Sequence, residues 1–247
     1  MPKTAQANPQ ALRHDIVPQN IVPLDINAGA FAQYRDKDPD PALDAIISAV
    51  QGARDAAERV ATARTAILQD QSITEQARAM KARALVANVQ QKHMERFARA
   101  HAQVSDAIAM LKQRMAIPAP LSQMEADDRR EVRRAFAQIP QSGRFDLLLR
   151  FANVGQDSMV HALLGTEAFV LGIEPDQHAA LVERWQRRRF PREFDQAGRL
   201  SEALAQFVKT GKTLVTFLNT LGNIPQAPHV EETAKRAAAA IAALDGN

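Results

Sequence analysis

From Pro41 to Ala116 the chain has one interruption, at Asp70–Thr74, and otherwise no proline after Pro41 and a single glycine, Gly52. A run this long without breakers fits two long helices, either an antiparallel hairpin or one rod kinked in the middle. Asp40 is a good N-cap and Pro41 suits a first helical turn, because its φ is already set. Leu43, Val50, Ala57 and Arg64 then recur at one heptad position, with Ile46, Ala53, Val60 and Ile67 three residues on. This is a coiled-coil-like seam, interrupted by Arg64 and weakened at Gly52.

Leu43, Ile46, Val50, Val60 and Ile67 are therefore the candidate oligomer contacts. The expectation is that Val60→Asp with Ile67→Asp abolishes assembly and leaves the 122–221 domain folded. Ser72 and Glu75 have capping-box spacing for the start of the second helix, whose apolar face is Val86, Val89, Phe97, Val104, Ile108, Leu111 and Met115.

Residues are 46% hydrophobic but only 5% aromatic, which favours thin helix–helix seams over a thick core, so the predicted fold is all-α. The predicted parts are an extended arm over 1–40, the hairpin over 41–116, a compact multi-helix domain over 117–222 and a C-terminal helix in 223–247. The arm carries five prolines with the apolar pairs Ile16-Val17 and Ile21-Val22 between them, and from Asp15 to Tyr34 it is suited to docking on a neighbouring surface. Ile117-Pro118-Ala119-Pro120 is a stiff connector, followed by a second capping box at Ser122 and Glu125.

Beyond the connector, helices are predicted near 123–138, 144–153, 157–164, 166–171, 175–189 and 196–221. Gly143, Gly155, Gly165 and Gly172 fall at or near their ends. An alanine-rich last helix is expected over about 229–244.

The absence of cysteine excludes disulfides, thiolate metal sites and thiol nucleophiles. No secretory leader or membrane span is expected, and the protein reads as soluble. The formal charge is +3, and its excess lies on the hairpin, where eleven basic residues face seven acidic ones. Spread over two long helices, that charge is more dilute than a dedicated DNA-binding stripe.

Thr210-Gly211-Lys212-Thr213 has the ending of a phosphate-binding loop. Position 206 is Gln206, however, where that loop needs glycine, and no strand precedes it, so the segment reads as a helix interior. The histidines have no i,i+4 pair for a metal, and no nucleophile elbow occurs. No cofactor, metal or catalytic residue is expected, and an enzyme with an unrecognised site is a third-ranked class.

Arg129, Arg130, Arg133 and Arg134 are offset by Glu125, Asp127, Asp128 and Glu131 and read as a solvated face. Arg184, Arg187, Arg188, Arg189 and Arg192 are less compensated and flank Trp185, which makes these six residues the candidate contact patch for a partner protein or nucleic acid.

The stretch Ala162-Leu-Leu-Gly-Thr-Glu-Ala-Phe169-Val-Leu-Gly172-Ile-Glu-Pro-Asp-Gln-His-Ala179-Ala-Leu181 resembles a pattern in uncharacterised helical proteins encoded among tailed-bacteriophage structural genes. The resemblance covers at most the middle half of the chain and carries over no functional residue. It implies a setting in virion assembly, in the head-to-tail region or inside the particle, with synthesis in the host cytoplasm. The arm, hairpin and narrow seam point to a non-enzymatic scaffold that pairs with itself, and the resemblance implies that its other partners are virion proteins. The alternative is a nucleic-acid-binding or DNA-packaging accessory using the hairpin charge and Arg187–Arg189.

Overall fold

The computed structural model describes residues 21–224; the first twenty residues of the arm and the helix expected over 229–244 lie outside the described residues. The described residues form an all-α fold with a 3-10 helix, Ala28–Tyr34, and eight α-helices. These are α1 Pro41–Gln69, α2 Glu75–Arg114, α3 Gln123–Ala137, α4 Gln141–Val154, α5 Asp157–Leu163, α6 Ala168–Leu171, α7 Pro175–Arg189 and α8 Pro191–Gly222. Among the described residues they group into two compact units, 21–105 with 202–224, and Asp106–Ser201. The division falls inside α2 and α8, not at the Ile117–Pro120 connector, because the C-terminal part of α8 packs with the hairpin.

In the first unit, Asp40 accepts from the amides of Ala42 and Leu43, and Pro41 opens α1 as its sequence suggests. The second helix starts later than the Ser72–Glu75 box. Ser72 donates its amide and hydroxyl to Asp70 Oδ1 at 2.9 and 2.6 Å, and Thr74 Oγ1 caps Ala77 instead. Asp70 thus holds Ser72 within the turn, and Thr74, two residues on, takes the capping position.

Gln103 Nε2 donates to Pro41 O at 3.3 Å, and a Cβ on Gly52 would lie 4.0 Å from His93 Cε1. These pairs are mirror positions about the 70–74 turn, so α1 and α2 form an antiparallel hairpin.

The hairpin is closed by α8. Phe97 stacks on Phe207 with centroids 4.4 Å apart, Gln90 meets Asn219 at 3.2 Å, and the Cβ that Gly211 lacks would sit 3.2 Å from the Phe97 ring. The three helices bury Leu43, Ile46, Val50, Val60, Val104, Leu214 and Leu218. Gly211 is thus the helix-interior packing residue that the missing first glycine of the loop motif suggested.

Arg64, which looked like a defect in the heptad, is 7% exposed and donates from Nε to Leu221 O at 2.7 Å. It satisfies a carbonyl in the last turn of α8, where the helix dipole favours a cation. Burial holds its guanidinium below the usual arginine range.

Part of the arm also belongs to this unit. Val22, Ile26 and Phe31 are buried, Arg54 Nη1 donates to Ile26 O at 3.0 Å, and Thr210 Oγ1 donates to Asp25 O at 3.4 Å. The expectation of a wholly non-helical arm is corrected: Asn27 caps Gly29, and the proline-free segment that follows closes into the 3-10 helix.

In the second unit α4 packs on α7 and α3 on α5, around Phe136, Leu148, Leu163, Leu171, Leu181 and Trp185. Ser122 Oγ accepts from Glu125 N at 3.1 Å, and Glu125 reaches back to the Leu121 amide at 2.8 Å. Gly155 (φ 83°) and Gly172 (φ 66°) close α4 and α6 in the left-handed conformation that glycine adopts without strain.

The first arginine cluster is only partly the solvated face expected. Arg129 is buried, pairs with Glu125 at 2.6 Å and donates to Pro118 O at 2.8 Å, which ties down the connector. Arg133 donates to Ala162 O at 3.0 Å.

Candidate functional site

The candidate oligomer seam is covered from within. Leu43, Ile46, Val50 and Val60 are at most 3% exposed inside the first unit, and Ile67 packs beside Ala79, Ala82 and Ile224. A heptad seam needs a partner helix but does not say which chain supplies it. Here the same chain does, so Leu43, Ile46, Val50 and Val60 are core in the described fold and Ile67 is half-buried beside them.

The second candidate patch lies at the C-terminal end of α7, and the structure separates its members. Trp185 is 1% exposed; its Nε1 donates to Asp157 Oδ1 at 2.9 Å, and its ring packs edge-on to His161 and Phe190. It is a core residue with a satisfied polar end, the common state of a buried tryptophan, and not a surface contact. The other Asp157 oxygen, Oδ2, accepts from Arg189 at 3.1 Å.

Arg187 pairs with Glu183 at 3.0 Å and lies over the Phe194 ring. Arg184 donates from Nε to Asn153 Oδ1, and Arg188 donates from Nη1 to Asn153 O at 3.2 Å. These two guanidiniums sit at the C-terminus of α4, near the negative end of the dipole, and Arg188 there satisfies a main-chain carbonyl of the last turn. The Arg188 guanidinium occupies the space a side chain at position 155 would need, since a Cβ there would come within 1.6 Å of Nη2. Arg192 is exposed. The face a phosphate backbone would read is therefore divided among helix-end and ion-pair roles.

Beside these arginines runs a groove of about 700 Å3 between α4 and α7. Its floor is apolar, made by Phe145, Leu149, Ala180 and Leu181, and its rim carries Arg184, Arg187, Arg188 and Glu183. Sequence reasoning found the rim and missed the floor. Phe145 and Leu149 share a face of α4 at i,i+4 spacing, but only the packing of α4 on α7 turns that face into a groove.

A second missed feature is α6, where Phe169 is 79% and Val170 46% exposed. Both lie inside the stretch quoted above, and a four-residue helix cannot turn adjacent side chains to the same core.

His93 is the one buried side-chain group without a hydrogen-bond partner among the described residues: the residue is 5% exposed and its Nδ1 is unpaired. Burial, then the nearby Arg96, Lys92 and Arg59, push its imidazole below the ordinary histidine range. His161 is shifted the same way by burial, with Arg129 adding to it. The unfolded chain therefore binds more protons than the fold once pH falls below about 6.5. The stability present above that pH declines as pH drops toward the lowered folded value. Urea titrations across this range should show the decline, and His93→Leu should flatten part of it while leaving neutral-pH stability equal or higher, because an orphan polar group is removed.

Among the described residues no group of three histidine, aspartate or glutamate side chains is placed to hold a metal ion, and no helix is long and apolar enough to cross a membrane. In comparisons with known proteins, no family model matches the chain, and no curated protein or solved structure matches it.

Proposed function

We propose that this chain is a non-enzymatic structural or assembly protein, a component of tailed-bacteriophage virions that works by packing against copies of itself and other virion proteins. The observation that carries the reading is the α4–α7 groove, an apolar floor open at the surface of a well-packed helical unit. An aromatic and aliphatic floor edged by arginines has the composition of a protein-protein contact. The virion setting rests on the resemblance of residues 162–181 to phage-encoded helical proteins. The contact surface moves from the Leu43–Ile67 seam to the second unit, because the seam is buried within the chain.

Native mass measurement of the purified chain tests the reading, together with a search for the protein in purified particles. Deleting residues 1–20 is the informative truncation, since a cut at residue 40 would also strip Val22, Ile26 and Phe31 from the core. Oligomers are expected with and without those twenty residues. A monomer in both cases, missing from particles, would exclude the proposal.

A further inference from the structure

We infer that the second unit self-associates head to tail, with the α6 tip of one copy, Phe169 and Val170, seated in the α4–α7 groove of the next. The inference rests on the assembly reading above and names its surfaces. The two surfaces complement each other in shape and in charge.

The tip is apolar, and the chain on either side of it is mainly acidic. Phe169 and Val170 are 79% and 46% exposed, and Glu167, Glu174 and Asp176, close to them in sequence, are exposed, against one cation, Arg144, held at Leu171 O. None of the three makes an ion pair among the described residues. The groove is apolar, and its rim carries three arginines and one acid, Glu183, which pairs with Arg187. Arg184 and Arg188 make their hydrogen bonds to Asn153, a neutral residue, so both keep an uncompensated positive charge at the rim. The groove, about 700 Å3 and open to solvent, has room for an aromatic side chain with its neighbour.

The tip is held in shape before any partner arrives. Arg144 Nη1 donates to Leu171 O at 3.2 Å, Gln141 Nε2 donates to Gly172 O at 3.2 Å, and Gly172 closes the helix. A preorganised knob loses little freedom on binding.

Tip and rim lie toward opposite ends of α7. Ten residues separate Glu174 from Arg184, which at 1.5 Å per residue is about 15 Å. One copy therefore cannot fill its own groove with its own tip, and a contact between unlike patches is heterologous, so it propagates into a ring or an open chain of copies. The acidic tip would also repel a second tip, and the basic rim a second rim, which sets the polarity of the contact.

Two full-length variants test this. Phe169→Asp removes the knob at an exposed position, and Ala180→Glu, at another exposed position, fills the groove floor and cancels the rim charge of Arg184 one turn on, so neither disturbs the core. Analytical ultracentrifugation of the unaltered chain should show species that grow with concentration and shrink with added salt. Each variant alone should lose this growth, with association weakened about thirtyfold or more, as loss of a buried aromatic anchor does. An equimolar mixture should pair through the intact knob of Ala180→Glu and the intact groove of Phe169→Asp, and stop at two copies.

If both variants assemble as the unaltered chain does, the head-to-tail contact is wrong while the assembly reading stands. A mixture that fails to pair likewise overturns the inference. If the unaltered chain is monomeric at every soluble concentration, the inference falls and the homo-oligomer part of the proposed function falls with it. Capture of the groove by a different protein, with the chain alone monomeric, is the same negative result.

Discussion

Val60→Asp is expected to destabilise the first unit by about 3–5 kcal/mol, the range found when a charge is left buried without a partner. Val60 is 3% exposed in α1, between the fully buried Ala57 and Ala61 at 3%. A carboxylate there either stays ionised in an apolar seam or takes up a proton at a cost in free energy, and both outcomes favour the unfolded chain. Against a typical total of about 5–15 kcal/mol, such a loss removes from about a fifth to the whole of the stability. Urea denaturation followed by far-UV circular dichroism gives the value. A surface seam used only between copies would behave differently: the variant would dissociate an oligomer and leave a monomer as stable as the parent.

Trp185→Ala is expected to cost the second unit a similar amount, about 3–5 kcal/mol for truncating a large buried aromatic. The cavity would open in the middle of the cluster formed with Leu148, Leu163 and Leu181, and Asp157 Oδ1 would lose its indole donor. Since Trp185 is the single tryptophan, the unfolding has to be followed by circular dichroism and not by fluorescence. Trp185→Phe retains most of the packing and removes the hydrogen bond, so it should cost about 1–3 kcal/mol. If Trp185 were the surface contact that its arginine-rich neighbourhood suggested, the alanine variant would stay within about 0.5 kcal/mol of the parent.

The contrast between these residues and their sequence reading separates what local chemistry determines from what it leaves open. Asp40-Pro41, Ser122 with Glu125, Pro175, Gly155 and Gly172 mark helix ends because capping and backbone conformation act within a few residues of each position. The six helices expected after the connector were legible for that reason. Where two local arrangements compete, as at Ser72 and Thr74, the pattern admits both, and a side-chain bond from Ser72 to Asp70 selects the later start.

Partners far along the chain leave no local trace. Arg64 meets Leu221 across more than half the sequence, so a helix-end partner resembles a fault in a heptad. The seam reveals its period but not the identity of the helix that covers it. The arginine-rich stretch at the end of α7 is visible in the sequence, yet the roles of its members depend on where α4 ends and where Asp157 sits. The groove was illegible because two helices make it and neither one alone shows a concavity.

The claim on which the others depend is that the hairpin is closed by α8 of the same chain. The sequence contains no cysteine, so Gln90→Cys with Asn219→Cys introduces one pair of thiols where the two side chains now lie 3.2 Å apart. Treatment with a short bis-maleimide at a series of dilutions, followed by mass measurement under denaturing conditions, reads the connection directly. The expected product has the mass of one cross-linked chain and forms at a rate independent of dilution. Products with the mass of two chains, forming more slowly as the protein is diluted, would contradict the account.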